Sequence, residues 1–308
     1  MMKRLRIGLV GCGNWGKNIL RDLISLGCEI HVVARSKESK QRAKQYGATK
    51  IVSSVGELSM PHGFIVATPS ATHADVIDQL IGEYPGIPIY TEKPLAIDLA
   101  GAKRLARKAA GTLFVMDKWR YHAGIHALRD IARKKEFGRV LGLKCTRVQW
   151  GKPHDDADCI WHMTPHDLAI TLEILELIPE PVFARGEIVG EEATGILGVL
   201  GSNPWVVITV SCRYPDRKRE IRLFCEEAVA VLDDAYGDHI SIALSSSLNK
   251  KDSPAIISRL ISTKMPLKKE LEAFVAFLRG GPPPKSSSAE GALIVKRISQ
   301  LRKLANLD

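Results

Sequence analysis

Ile7-Gly-Leu-Val-Gly-Cys-Gly-Asn-Trp-Gly16 is the stretch that decides the fold. Apolar residues with strand character run straight into Gly11, Gly13 and Gly16, and a helix-like segment, Lys17 to Leu26, follows at once. Three glycines at G-x-G-x-x-G spacing carry meaning only between a strand and a helix, which is their setting here. Gly11 suits a tight turn, Gly13 lets a pyrophosphate approach the backbone, and Gly16 lets helix and strand pack closely. The free N–H groups and positive end of the following helix then bind phosphates. The stretch predicts a dinucleotide-binding turn; the plainer alternative is a structural bend.

Outward from the turn, short apolar runs at 5–10, 29–34, 50–52, 63–67, 87–91 and 112–117 alternate with helical stretches at 15–26, 37–46, 70–82 and 97–110. Gly27 and Gly47 fall where helix C-caps belong. This alternation predicts an α/β fold: an N-terminal Rossmann domain, a doubly wound parallel sheet, over residues 1–119. From 120 the character changes. A helix at 123–135 precedes strand-like runs at 139–150, 182–189, 194–200, 205–213, 219–225, 228–233 and 239–245, interrupted by one helix near 164–178. A C-terminal α+β domain with a predominantly antiparallel sheet is expected over 120–308. Within it, 248–263 reads as polar and irregular, and 266–279 as a helix with Leu267, Leu271, Phe274, Val275 and Leu278 on one face. A Pro/Ser-rich loop and a last helix at 289–305 follow.

The end of the second strand bears on the cofactor. An NAD site usually has an acid there, about 20 residues past the turn, to bond the ribose 2′-hydroxyl. This chain reads Val32-Val33-Ala34-Arg35-Ser36-Lys37, with Lys40 one turn on. Arg35 offers a planar fork and Ser36 a hydroxyl to a 2′-phosphate, so NADP is expected, with NAD as the alternative. In the blander reading Arg35 only stacks on adenine. Further along, Ser70 or Thr72 could cap the helix after Ala67-Thr68-Pro69. Glu92 and Lys93 form a charged pair at the carboxyl edge of the sheet, where ligands of such sheets sit.

The totals bound the class. At 308 residues, with 45% hydrophobic and 25% charged residues, the chain reads as a two-domain globular protein. No apolar run approaches the ~20 residues that span a bilayer, and the basic N-terminus lacks a signal-peptide core, so a cytoplasmic location is expected. Six scattered cysteines without a Cys-x-x-Cys pair argue against a disulfide framework or zinc–thiolate site. The net charge of +10 is spread along the chain and aromatics are 6%, which argues against nucleic acid. An anionic cofactor or substrate accounts for part of the excess.

Gly11-Cys-Gly-Asn-Trp-Gly16, Ala67-Thr68-Pro69 and above all Glu92-Lys93-Pro94, in this order and spacing, resemble the glucose–fructose oxidoreductase / inositol dehydrogenase (Gfo/Idh/MocA) family. Arg120-Tyr-His122, Phe137-Gly-Arg-Val140 and the helix from Trp161 to Ile178 are similar to the family's second domain. The resemblance implies a large sheet open on one face and used to form homodimers or homotetramers. It implies cofactor contacts from Gly11, Gly13, Asn14, Trp15, Gly16, Arg35, Ser36, Thr68, Pro69, His73, Glu92 and Lys93. It also implies an oxidoreductase that moves hydride to or from a hydroxyl or keto carbon of a sugar, cyclitol or derivative. Lys93 would steady the forming alkoxide and His166 would take the hydroxyl proton. Asp167, next in the helix, is expected to be structural.

His162 stands where many members carry an aspartate, one turn before His166, so both histidines can share a face and His162 is a candidate for the substrate. Arg120 and Lys152 are further substrate candidates; Lys118, His122, Trp150 and His154 fall near them. An acidic, phosphorylated or nucleotide-linked substrate suits the positive charge. The pairs His122/His126 and His162/His166 invite a zinc reading, but no Glu stands inside either pair, and no metal is expected. Two rival functions remain: reduction of another C=O or C=N compound on the same fold, and a cofactor-sensing regulatory protein that catalyses nothing.

Overall fold

The computed structural model describes residues 4–152, 156–245 and 254–307. It divides into two units, Met1–Lys118 with Leu267–Val295, and Trp119–Pro266 with Lys296–Asp308.

The first unit holds six parallel strands, β1 (Arg6–Val10), β2 (Glu29–Val33), β3 (Lys50–Val52), β4 (Gly63–Val66), β5 (Ile89–Glu92) and β6 (Leu113–Met116). They lie in the order β3-β2-β1-β4-β5-β6, the two-half arrangement of dinucleotide folds. Helices α1 (Gly16–Ser25), α2 (Lys37–Gln45), α3 (His73–Glu83) and α4 (Leu99–Lys108) connect them. Strands covered on both faces should be apolar throughout, and β4 and β6 are buried at every residue. The helices end as their sequence dictates: Gly27 (φ +78°) and Gly47 (φ +84°) take the left-handed turn past α1 and α2.

The first unit's opening segment ends at Lys118, and the stretch beyond it does not belong wholly to the second unit. Helix α7 (Pro266–Phe277) returns to the first. Its Leu267, Leu271, Phe274 and Val275 are buried in one core with Ile7, Leu9, Ile30, Tyr90 and Phe114. Phe274 meets Tyr90 at 5.0 Å and Phe277 meets Phe114 edge-on at 5.1 Å. Each such side chain withdrawn from water contributes ~1.5–3 kcal/mol, which settles where the amphipathic helix packs. Beyond it, Ser286 O accepts from Val115 N at 2.8 Å, beside β6.

The second unit is built on eight strands: β7 (Val140–Trp150), β8 (Pro181–Val189), β9 (Glu192–Leu200), β10 (Trp205–Ser211), β11 (Arg213–Cys225), β12 (Ala228–Leu232), β13 (His239–Leu244) and β14 (Ile256–Leu260). Their order is β14-β13-β12-β11-β7-β10-β9-β8, antiparallel except for the β7–β10 pair. The predominantly antiparallel sheet expected of this half is therefore present. Helices α5 (Ala123–Lys134) and α6 (Cys159–Leu175) belong to this unit, and α8 (Ser288–Leu304) supplies residues to both. Cys145, Ile208 and Ile221, in register across β7, β10 and β11, are buried, while Lys144 and Arg222 one residue away are not.

Two expectations change here. The stretch 248–263, read as irregular, contains strand β14; it pairs only with β13 and its side chains are mostly exposed, so no inward–outward alternation marks it. Helix α6 begins at Cys159 rather than near 164, because Asp158 caps it by accepting from Ile160 N at 3.0 Å and Trp161 N at 3.1 Å. Pro165 sits inside it. No helix among the described residues is long and apolar enough to cross a membrane.

Candidate functional site

In the first unit the three glycines of the turn have separable reasons. Gly11 has φ +96°, and a Cβ there would lie 2.5 Å from Ala67 O; a Cβ on Gly16 would lie 2.6 Å from Gly11 O. The fold itself demands both. A Cβ on Gly13 would meet nothing within 4 Å, so the space above that backbone is open to a ligand. Helix α1 starts beside it with no side-chain cap and no acid in its first turn. Its N-terminal dipole is left for an anion from outside the chain. Asn14 is exposed on the same turn.

Trp15 ties this turn to the end of β5. Its indole N–H donates to Glu92, and the Lys118 ammonium lies 4.2 Å over the indole ring. Burial pushes the Glu92 carboxyl above its ordinary range, opposed by Lys93, the indole N–H and Lys118. Lys93 itself is half-buried, followed by a cis bond to Pro94. His73 is buried and spans two loops, with Nδ1 2.7 Å from Pro94 O and Nε2 3.0 Å from Thr68 O. The ring thereby holds the Thr68-Pro69 and Glu92-Lys93-Pro94 turns together. The Thr72 hydroxyl reaches back to Pro69 O (2.7 Å) and Thr68 Oγ1 (2.9 Å), and does not cap α3.

Arg35 and Ser36 follow β2 and are exposed. Ser36 Oγ caps α2, accepting from Ser39 N at 3.1 Å, and also bonds the carboxylate of Glu38. Its hydroxyl is thus engaged within the chain, and Arg35 is left as the group suited to a 2′-phosphate. Lys40 turns to Ser53, 3.1 Å away.

Sequence reasoning missed two acids of this unit. Asp117 and Glu270 are each about 1% exposed. Burial, with Glu92 and Asp117 adding like charge, drives the Glu270 carboxyl far above its usual range, against Lys118 and Tyr90. The signal was present: Glu270 interrupts the apolar stripe of Leu267, Leu271 and Phe274 on α7.

In the second unit, every residue of α6 is buried except His166 and Leu175. His166 is the point at which this helix opens to solvent. Its neighbour Asp167 points inside, with Oδ1 2.8 Å from Arg147 Nη2 and 2.9 Å from Nε. His162 does not share the opening. Its side chain is 1% exposed and lies 3.2 Å from Asp156.

The other two substrate candidates are also engaged within the protein. Arg120 is buried and bonds Glu173 at 3.1 Å, a carboxylate shared with Arg129 at 2.8 Å. Lys152 pairs with Glu192. His122 caps α5, accepting from Gly124 N at 3.0 Å, and its Nε2 faces Ala235 O at 2.8 Å; His126 faces Arg120 O at 2.6 Å. Among the described residues no three potential ligands gather as a metal site requires. Trp150 is exposed, and His154 lies outside the described residues.

A doubly wound sheet with an uncapped helix after a glycine turn defines a dinucleotide-binding protein of the Rossmann class. Residues 5–115 match the family model GFO_IDH_MocA, the oxidoreductase family with an NAD-binding Rossmann fold. An inositol 2-dehydrogenase of Streptomyces avermitilis is 26% identical over 168 residues, 50% of this chain and 47% of the relative. The match thus spans about half the length of that relative. A myo-inositol 2-dehydrogenase of Thermotoga maritima is 22% identical over 94% of this chain and 92% of its own. Among solved structures, a UDP-N-acetylglucosamine 3-dehydrogenase of Acidithiobacillus ferrooxidans superposes with a TM-score of 0.83 at 20% identity, covering 98% of each chain. At that identity the likeness shows the fold: both units of this chain have counterparts there.

Proposed function

We propose that this chain is a nicotinamide-dependent oxidoreductase, NADP preferred, acting on the hydroxyl or keto carbon of a sugar, cyclitol or derivative. The observation that carries the reading is Gly13, whose missing Cβ the fold does not require and a pyrophosphate does. The family-model match over residues 5–115 and the inositol dehydrogenases among the relatives support the substrate class.

When bound, the dinucleotide supplies the hydride acceptor or donor. What the chain contributes is proton handling and charge. Lys93, next to the part-buried Glu92, is assigned to steadying the substrate oxygen as it gains charge. His166, which is not wholly buried on α6, is assigned to taking the hydroxyl proton. Thr68, Pro69 and Asn14 border the turns that would hold the cofactor. Preference for NADP rests on Arg35, with Glu38 the nearest acid in the sequence beyond it. Self-association through the eight-stranded sheet rests on the family resemblance, and size-exclusion with light scattering reads it directly.

The test is titration with NADPH and NADH, followed by turnover over a panel of polyols, sugars and sugar acids. Binding with turnover supports the reading. Binding without turnover favours the regulatory alternative, turnover of carbonyl or imine compounds alone favours the other reductase, and failure to bind either dinucleotide overturns it.

A further inference from the structure

Arg147 of β7 and Arg219 of β11 stand directly opposite each other in register, with Cys145 and Ile221 buried next along the same face of the sheet. Like charges placed across a strand pair repel, and a covered face screens them poorly. One of the two is neutralised: Arg147 is paired with Asp167. Among the described residues the other has no such partner. Arg219 Nη1 donates to Val148 O at 2.7 Å and to Lys218 O at 2.8 Å, and Nη2 donates to the side-chain oxygen of Gln149. All three acceptors are neutral.

A guanidinium carries five N–H donors. These bonds leave Arg219 with Nε–H and one proton of Nη2 among the described residues, the pair that receives a carboxylate or phosphate side-on. The electrostatics agree with the geometry. Burial, with Arg147 and Arg217 as like-charged neighbours, lowers the Arg219 pKa to about 10, and Asp167 and the Tyr236 phenol oppose this only in part. Arg217 and Tyr236 are exposed, so the group borders solvent rather than a sealed core. The site also lies in the same unit as His166, whose sequence neighbour Asp167 binds Arg147.

We infer that Arg219, assisted by Arg217, holds an anionic group of the substrate, so that this oxidoreductase acts on a sugar bearing a carboxylate or phosphate rather than on a neutral polyol. The inference rests on the oxidoreductase reading above and deepens it. An anion there completes the Arg147–Asp167–Arg219 row and uses the guanidinium edge that the protein leaves unbonded.

The test uses the full chain with NADPH present and three probes: glucuronate, glucose 1-phosphate and glucose. Calorimetry should show at least one of the two anions bound about tenfold or more tighter than glucose; whichever it is identifies the anion as carboxylate or phosphate. Arg219→Met should abolish that preference while leaving NADPH affinity unchanged, and Arg219→Lys should restore part of it. Should Arg219→Met not fold, the exposed Arg217→Ser reads the same site and should weaken anion binding about threefold or more. Equal affinity for glucose and both anions, or a preference that survives these substitutions, overturns the inference. Failure of NADPH itself to bind falls instead on the oxidoreductase reading, so the two can fail separately.

Discussion

The indole N–H of Trp15, inside the glycine turn, is donated to the carboxylate of Glu92 at the end of β5, 77 residues along the chain. The contact joins the segment that would bind phosphates to the Glu92-Lys93-Pro94 segment assigned to the chemistry. Trp15→Phe keeps the ring and removes the donor. Leaving a part-buried carboxyl without its hydrogen bond costs about 1 kcal/mol, so the melting temperature should fall by about 2–4 °C. An unchanged melt would show that the bond contributes nothing to this unit.

The glycines of the turn should separate stability from binding. Gly11→Ala places a side chain at φ +96° and 2.5 Å from Ala67 O, and should cost about 2–4 kcal/mol. Gly13→Ala meets nothing in the protein and should melt within about 0.5 kcal/mol of the parent, yet bind NADPH at least about tenfold more weakly. Denaturant unfolding and fluorescence titration read the two effects. Undiminished NADPH binding by Gly13→Ala would remove the main support for the cofactor site.

Arg35→Asp replaces the fork after β2 with the acid that NAD sites carry there. The ratio of NADPH to NADH affinity should fall about tenfold or more, most of it from loss of NADPH binding. A ratio that does not move would mean that Arg35 faces only the adenine.

Lys93→Met and His166→Ala should each lower kcat by about 10²–10⁴-fold with cofactor affinity nearly unchanged. For His166→Ala, the limb of the pH–rate profile assigned to the histidine should also vanish. If that limb persists, the proton goes elsewhere.

Glu220 gives a pH prediction with a definite sign. Arg222 at 2.7 Å and Lys218 at 2.9 Å lower its carboxyl from 4.5 to about 2. A depressed folded-state pKa adds stability that is complete above about pH 4.5 and is lost as pH falls through the folded value. Because both cations are nearly half exposed, the contribution is discounted to about 1 kcal/mol. Urea melts at pH 6 and pH 3 should therefore differ less in Glu220→Gln than in the parent, and an equal difference would refute the assignment.

The first unit was legible in the sequence because its signals are local. Apolar strands, glycines at fixed offsets and helix ends each follow from a few neighbouring residues. What failed to show was decided at long range. Strand β14 looks irregular because an exposed edge strand has no buried face to impose alternation. Arg120 and Lys152 looked available because a sequence shows a charge without its partner; Glu173 and Glu192 lie 53 and 40 residues away. Arg219 escaped notice for the reverse reason, since only the strand register reveals that it faces Arg147. The glycine turn and Glu92-Lys93-Pro94 remained readable because each is held within a single loop.

The return of α7 to the first unit has a consequence for synthesis. Translation delivers β1 through β6 early, but Leu271 and Phe274, which cover Tyr90 and its neighbours, come only after residues 119–266. At ~5–20 residues per second, the ribosome needs roughly 7–30 s to make that intervening stretch. Throughout that interval the nascent nucleotide-binding sheet carries an uncovered apolar patch, which makes it a client for chaperones. The unit that is begun first stays incomplete until α7 has been made.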